Sequence, residues 1–238
     1  MDNLFSEIDL LDINQPLLRN IVSLADLEEN PFDDLSDNQA DWSLAQTAAS
    51  DVNPMGYSSF QPEIYRAFEE AEWFKAIEWP FRNWQTSRFS NGSFGVWYGS
   101  DAVETTVYET AFHWLRGFLA DAGLESEAVV SRRQLFTVSC RAGILDFRPA
   151  VTSYPKLLHK SDYSFTQSVG SRIHREGHPG LVTFSVRHSG GLNYALLNPA
   201  VLNEPQHHSY LAYRLLNGII KVEEPSGADL MEIPADHF

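Results

Sequence analysis

Residues 87–109 read SRFSNGSFGVWYGSDAVETTVYE, and their parsing decides the fold. Asn91-Gly92 is a turn signal, and Phe94 to Tyr98 behind it reads as a short strand. A helix follows. Asp101 is placed to serve as its N-cap, with Glu104 three residues on completing a capping box. Val107, Ala111, Trp114, Leu115 and Phe118 then form one apolar stripe, and Gly123 ends the helix. At roughly 100° per residue, Glu109 points away from that stripe, with Thr105, Phe112, His113 and Arg116 as its helical neighbours. A solvated carboxylate on an exposed face is the plain reading. A catalytic carboxylate requires that face to look into a cleft.

Downstream, Gln134 to Arg141 alternates as a strand, with Gly143 to Phe147 as its continuation. Residues 150–180 are rich in Ser, Gly, His and Pro and read as a long loop with some helix. Val182 to Arg187 and Tyr194 to Leu197 read as short strands, paired as a hairpin around Gly190-Gly191. Alternation puts Thr183, Ser185 and Arg187 on one side of the first and Val182, Phe184 and Val186 on the other. Such a polar side is an exposed face or the lining of a phosphate or ribose pocket. Ser209 to Ile220 reads as a closing helix with Leu211, Leu215 and Ile219 on one face. Upstream, Glu63 to Phe68 reads as a first strand, and Trp73 to Trp84 is aromatic-rich without a clear assignment. Strands and helices intersperse without a regular βαβ rhythm, which favours an α+β fold.

The chain has 238 residues, 43% hydrophobic and 13% aromatic, enough for one substantial domain. Residues 1–55 form a distinct acidic N-terminal segment, read as a helix and a linker, and residues 56–238 form the main domain. The first fifty residues hold eleven Asp and Glu against one basic residue, Arg19. Leu17, Leu18, Ile21, Val22 and Leu24 recur at helical spacing after Asn14 and Pro16. Glu28 to Asp51 turns polar, as a linker does. The helix packs on its own domain or reaches a partner; the residues do not choose.

The formal net charge is -15. A surface so acidic repels phosphate backbones and anionic lipid, so neither direct nucleic-acid binding nor membrane binding is expected. An anionic substrate would need local arginines inside a cleft. The single cysteine, Cys140, excludes disulfides within the chain and fits a reducing compartment. No secretory signal and no long apolar run are present, so the expected location is cytoplasmic. The sequence holds no G-x-G-x-x-G after a strand, no P-loop and no G-x-S-x-G elbow. His174 and His178 have i,i+4 spacing, but Gly177 and Pro179 oppose a helix there. His207-His208 is no stronger, and no catalytic metal is expected.

Arg88 stands before a turn, Tyr98 ten residues later in a strand, and Glu109 eleven residues after that in a helix. With Phe89, Gly92 and Ser100-Asp101 between them, this order resembles the signature of the RES domain, a toxin family usually encoded beside an Xre-type antitoxin. Ser185, followed by Asn193-Tyr194 and Asn198-Pro199, matches the family's later serine. Tyr65-Arg66 resembles its N-terminal aromatic-Arg pair. The resemblance covers residues 60–205.

It implies an ADP-ribosyltransferase-like fold, with two small mixed or antiparallel sheets flanked by helices and NAD⁺ in a cleft between them. It implies NAD⁺ as substrate, degraded by hydrolysis or phosphorolysis, with no cofactor required. Glu109 would face the ribose, and Arg88 would hold a phosphate of the substrate or an attacking phosphate. Tyr98 would stack on nicotinamide, its alternative being core packing. Ser185 would orient the ribose or the amide, and Arg66 would assist with phosphate. The implied partner is an Xre-type antitoxin covering the cleft, with a homodimer inside that complex as a further expectation. Transfer of ADP-ribose to a specific protein is the rival activity. A non-catalytic binding module with the same fold is the rival of another class.

Overall fold

The computed structural model describes residues 2–23 and 74–238. Glu63 to Phe68, the linker Glu28 to Asp51, the boundary at 55/56 and Arg66 lie outside them. The strands are β1 (Asp9–Val22), β2 (Trp97–Ser100), β3 (Val129–Asp146), β4 (Gly180–Phe184), β5 (Leu192–Leu196), β6 (Leu202–Leu216), β7 (Ile219–Glu223) and β8 (Asp229–Pro234). Their hydrogen-bonded order is β1-β2-β5-β4-β3-β6-β7-β8, with an additional β1–β3 pairing. The expected pair of small sheets is therefore replaced by one eight-stranded mixed sheet. Two segments expected to be helices are strands, and they extend that sheet.

The first is β1, where the acidic N-terminal helix was expected. Leu18 pairs with Ser100 of β2. The helical reading rested on Leu17, Leu18, Ile21, Val22 and Leu24, among which Leu17 and Ile21 lie four residues apart. Four is an even number, so it suits a strand as well as a helix. Ile13, Gln15 and Leu17 alternate with more exposed neighbours, and Ile13 and Leu17 are buried.

The second is Ser209 to Ile220. Leu211 and Leu215 are again four apart, but Tyr213 between them is fully buried, which only a two-residue period allows. Asn217 and Gly218 have φ of 51° and 74°, so the two-residue turn has the left-handed backbone that joins twisted strands. Leu216 pairs with Ile219 across it.

Two compact units divide the described chain: residues 2–19, 74–106 and 137–206 in the first, and 20–23, 107–136 and 207–238 in the second. In the first unit, β5 runs antiparallel to β2 and β4, while β3 and β4 are parallel. Helix Ser164–Glu176 occupies the expected long loop, and Pro149–Val151 and Pro155–Leu158 form short 3₁₀ turns. Thr166, Val169, Gly170 and Ile173 are its buried face, an i, i+3, i+4, i+7 stripe. Gly177, at φ 77°, closes it. His178 thus lies past the helix end, off the face that carries His174, which stacks on Phe94 at 4.4 Å. Phe89, Phe94, Val96, Leu145, Phe147, Leu157, Val169, Ile173, Leu181 and Ala195 share one core.

The second unit carries β7, β8 and most of β6 as a meander, and the later part of helix Val103–His113. That helix starts two residues past Asp101 and runs on as a π-helical turn, Trp114–Leu119, before Gly123 ends it at φ 70°. Of the expected stripe, Val107, Ala111, Trp114 and Leu115 are buried, while Phe118 is half-buried. Tyr213 is the polar hub: its hydroxyl accepts from Asn20 Nδ2 at 2.8 Å and bonds Thr110 Oγ1 at 2.9 Å. Arg133 Nε donates to Asn20 Oδ1 at 3.0 Å. Among the described residues, no helix is long and apolar enough to cross a membrane.

Candidate active site

The loop that carries Arg88 is folded by its own serines and by its buried neighbour. Ser90 Oγ donates to Phe94 O at 2.6 Å and accepts from Gly92 N at 3.1 Å. Gly92 has φ 93°, a conformation that Asn91-Gly92 supplies without strain. Phe89 enters the core, which leaves Arg88 part-exposed on the opposite side. Helix Ser164–Glu176 pins the loop from behind. Gln167 Nε2 donates to Ser87 O at 3.1 Å, and a Cβ on Gly170 would overlap the Phe89 carbonyl. Gly170→Ala therefore forces helix and loop apart. We expect a loss of about 1–3 kcal/mol, or a melting temperature roughly 2–12 °C lower, measured by calorimetry. An unchanged melting temperature would contradict the close approach.

Tyr98 projects from β2 toward this loop. Its hydroxyl accepts from Phe89 N at 3.0 Å and shares a proton with Ser87 Oγ at 2.9 Å. One phenol thus grips the chain on both sides of Arg88. Burial pushes its pKa up to about 12, against the hydrogen bonds from Ser87 and Phe89, so it stays protonated at any working pH. At its backbone end, Arg19 donates to Tyr98 O at 3.2 Å and lies 5.3 Å from the Trp97 ring. Burial lowers the Arg19 pKa to about 10. The lone basic residue of the acidic N-terminal stretch is thus a brace for β2.

The Arg88 guanidinium donates to His159 O at 2.9 Å and lies 4.5 Å from the centre of the Tyr163 ring. Arg187 approaches the same tyrosine from its hydroxyl end. Its Nη2 is 3.2 Å from Tyr163 Oη and 2.5 Å from Lys160 O. Ser185, expected to touch substrate, shapes the turn that delivers Arg187. Its Oγ accepts from Arg187 N at 3.1 Å and from His188 N at 2.9 Å. β4 has already ended at Phe184, so Ser185 and Arg187 belong to the connection. One residue further, His188 Nδ1 lies 2.9 Å from Thr105 Oγ1. Gly191 leaves room for both, since a Cβ there would crowd them.

Beside these groups the sheet changes character. Tyr98, Ala195 and Leu181 are aligned across β2, β5 and β4, and all three touch the apolar core. Two residues along, on the same face, the aligned set is Ser100, Asn193 and Thr183. Ser100 Oγ donates to Asn193 Oδ1 at 3.1 Å. Thr183 Oγ1 is buried and has no hydrogen-bond partner among the described residues. A buried hydroxyl without a partner costs about 1–3 kcal/mol, which a polar ligand atom would offset.

Glu109 belongs to the second unit, half-buried on helix Val103–His113. The polar side of that helix is more than a solvated face. Thr105, one turn earlier on the same side, is fully buried.

The structure thus gathers Arg88 and Tyr98 directly, and joins Ser185 to them through Arg187 and Tyr163. Tyr163 is the residue that sequence reasoning missed. It sits at the cap position of helix Ser164–Glu176, within the stretch assigned to loop, and Asp162-Tyr163-Ser164 was the helix-start signal that could have marked it. Chemically, two guanidinium groups suit a phosphate, and a row of hydroxyl and amide groups suits a sugar or a carboxamide.

A family described as RES domain matches residues 63–215, well over half of the chain. No curated relative matches it. Among solved structures, it is similar to a chain in the crystal structure of the M. tuberculosis MbcT–MbcA toxin–antitoxin complex. The two are 12% identical, 90% of each chain is covered, and the TM-score is 0.46.

Proposed function

The chain belongs to the RES-domain family, and on that footing we propose that it consumes NAD⁺ as the toxin of a toxin–antitoxin pair. The observation that carries this reading is the Arg88 loop. Here an acidic protein carries a cation on a hydrogen-bonded loop, and its sheet carries an aligned row of hydroxyl and amide groups, a combination that suits a dinucleotide.

In the reaction, the bond between ribose C1′ and the pyridinium nitrogen breaks. The electron pair goes to nitrogen and leaves nicotinamide neutral. Positive charge builds on the ribose ring, as in glycoside cleavage. Glu109 stabilises that charge and can accept a hydrogen bond from a ribose hydroxyl. Water or inorganic phosphate then attacks C1′; water gives up a proton in doing so. Arg88 holds a phosphate group, and Tyr98 keeps Arg88 in place, with stacking of its ring on nicotinamide as its second role. Ser185 sets the turn behind Arg187. Such an enzyme endangers its own cell, so an antitoxin protein of the Xre type that covers the site is the natural control.

Incubation with NAD⁺ labelled in its adenine half tests the reading through the fate of the label. Free ADP-ribose indicates hydrolysis, and ADP-ribose 1″-phosphate indicates phosphorolysis. Label fixed to protein would replace both with transfer to a protein target. Label left in intact NAD⁺ would remove the proposal.

A further inference from the structure

Thr183 is 1% exposed, and its Oγ1 is buried with no hydrogen-bond partner among the described residues. Threonines on the helices are served differently. Thr106, Thr110 and Thr166 each donate to a carbonyl three residues back, at 2.7, 3.3 and 3.1 Å. An extended strand has no carbonyl in that position, so Thr183 Oγ1 needs a partner from beyond β4. Valine has nearly the same shape, suits a buried strand as well and carries no unmet hydroxyl. A threonine here therefore weakens the fold with no compensation inside the described chain.

Its position points to a ligand. The paired register of the parallel strands β3 and β4 ends at Asp146 and Val182, and Phe147 N donates to Val182 O at 3.0 Å. Thr183 comes next, near the carboxyl end of β4, and ligands of open α/β sheets gather outside the carboxyl ends of the strands. Asn193 of β5 stands opposite Thr183 and is only half-buried. Opposed Cβ atoms lie about 4.5–5.5 Å apart, so a group resting against Asn193 is within reach of Thr183. On the far side of Asn193, Ser100 Oγ donates to its Oδ1 at 3.1 Å. We propose that Thr183 is a ligand-binding residue whose hydroxyl hydrogen-bonds an uncharged polar group of the substrate, a ribose hydroxyl or the nicotinamide carboxamide. The hydroxyl is covered, so binding shifts the side chains packed over it. The inference rests on the NAD⁺ reading for the identity of the ligand; the unmet hydroxyl is a property of Thr183 itself.

The test uses the full chain. Nicotinamide and ADP-ribose, the two halves of the substrate, are the probes, and calorimetry reads their affinities without any cleavage. Thr183→Val should melt roughly 2–12 °C higher and bind a probe about 10-fold more weakly, the size of one hydrogen bond. Thr183→Ser keeps the hydroxyl and loses a methyl group, so it should melt lower and bind both probes as the parent does. Stability and affinity thus move in opposite directions, which a purely structural threonine does not produce. A loss confined to nicotinamide assigns the carboxamide, a loss confined to ADP-ribose assigns the ribose, and a loss with both places Thr183 at their junction. If the valine variant does not fold, Thr183→Ala compared with Thr183→Ser isolates the same hydroxyl. A valine variant that melts lower, or that binds both probes with parental affinity, would overturn the contact, and so would a parent protein that binds neither probe. If the parent binds a probe through Thr183 yet leaves NAD⁺ intact, the contact stands and the NAD⁺-consuming reading falls.

Discussion

Glu109→Ala should lower NAD⁺ cleavage about 100- to 1,000-fold, because preorganised charge opposite a developing cation is usually the largest single catalytic contribution. The protein should remain folded. Glu109 is half-buried and lies off the apolar stripe formed by Val107, Ala111, Trp114 and Leu115, so truncation removes no core packing from that stripe. Glu109→Gln is the sharper variant, since it keeps size and hydrogen-bonding reach and removes only the charge. Both should show the loss mainly in kcat, because the cation exists in the transition state and not in bound NAD⁺. Chromatographic assay of nicotinamide release, together with thermal unfolding, measures the two halves. A folded Glu109→Gln protein with parental kcat would remove the carboxylate from the mechanism.

The second large effect is expected at Arg88, and it runs through Tyr98. A lysine at 88 carries one compact charge, so it cannot both donate to His159 O and spread a flat cation over the Tyr163 ring. We expect Arg88→Lys to raise KM for NAD⁺ by about 10- to 100-fold, the range for losing a charge-assisted contact of roughly 1.5–3 kcal/mol. Tyr98→Phe keeps the aromatic ring and frees Ser87 Oγ and Phe89 N together. It should raise KM in the same direction, because the loop that aims Arg88 loses its grip. If Tyr98 acts through Arg88, the double variant should be little worse than Arg88→Lys alone. Effects that simply multiply would show that Tyr98 contributes separately, as a ring against nicotinamide. The phenol is held protonated up to about pH 12, so no Tyr98 ionisation should mark the activity profile between pH 6 and 10.

Part of this was legible in the residues. Asn91-Gly92, the stripe from Val107 to Leu115 and the terminating Gly123 placed the loop and the helix that carry Arg88 and Glu109. β3 and the β4–β5 hairpin stand near where strands were expected, although β4 is buried along its length without alternation and ends earlier than its polar pattern suggested. The failures share one cause. Apolar residues four apart at Leu17/Ile21 and Leu211/Leu215 satisfy both periods. What separates them is the residue midway, buried Tyr213 in the second case, and the Asn217-Gly218 turn that only a hairpin needs. Two helices lost to strands then turned two expected small sheets into one large one.

The site divided along a different line. Arg88 and Tyr98 are close in sequence and joined by local hydrogen bonds, so spacing could suggest their association. Tyr163 meets Arg88 across 75 residues, and no local pattern encodes that contact. Ser185 shows the opposite case. The alternation of Thr183, Ser185 and Arg187 suggested one strand face, but the strand stops at Phe184. The Ser185 hydroxyl then builds the turn, and Arg187 gains the position facing Tyr163. A polar pattern could mark the segment, yet only tertiary packing decides which of its members meets a ligand.

The most direct measurement is a proton NMR time course of NAD⁺ with the purified protein, run with and without inorganic phosphate. The account predicts that the nicotinamide ring signals shift to those of the free base, and that the ribose product changes when phosphate is added if phosphorolysis dominates. NAD⁺ signals unaltered over hours beside a folded protein would contradict it.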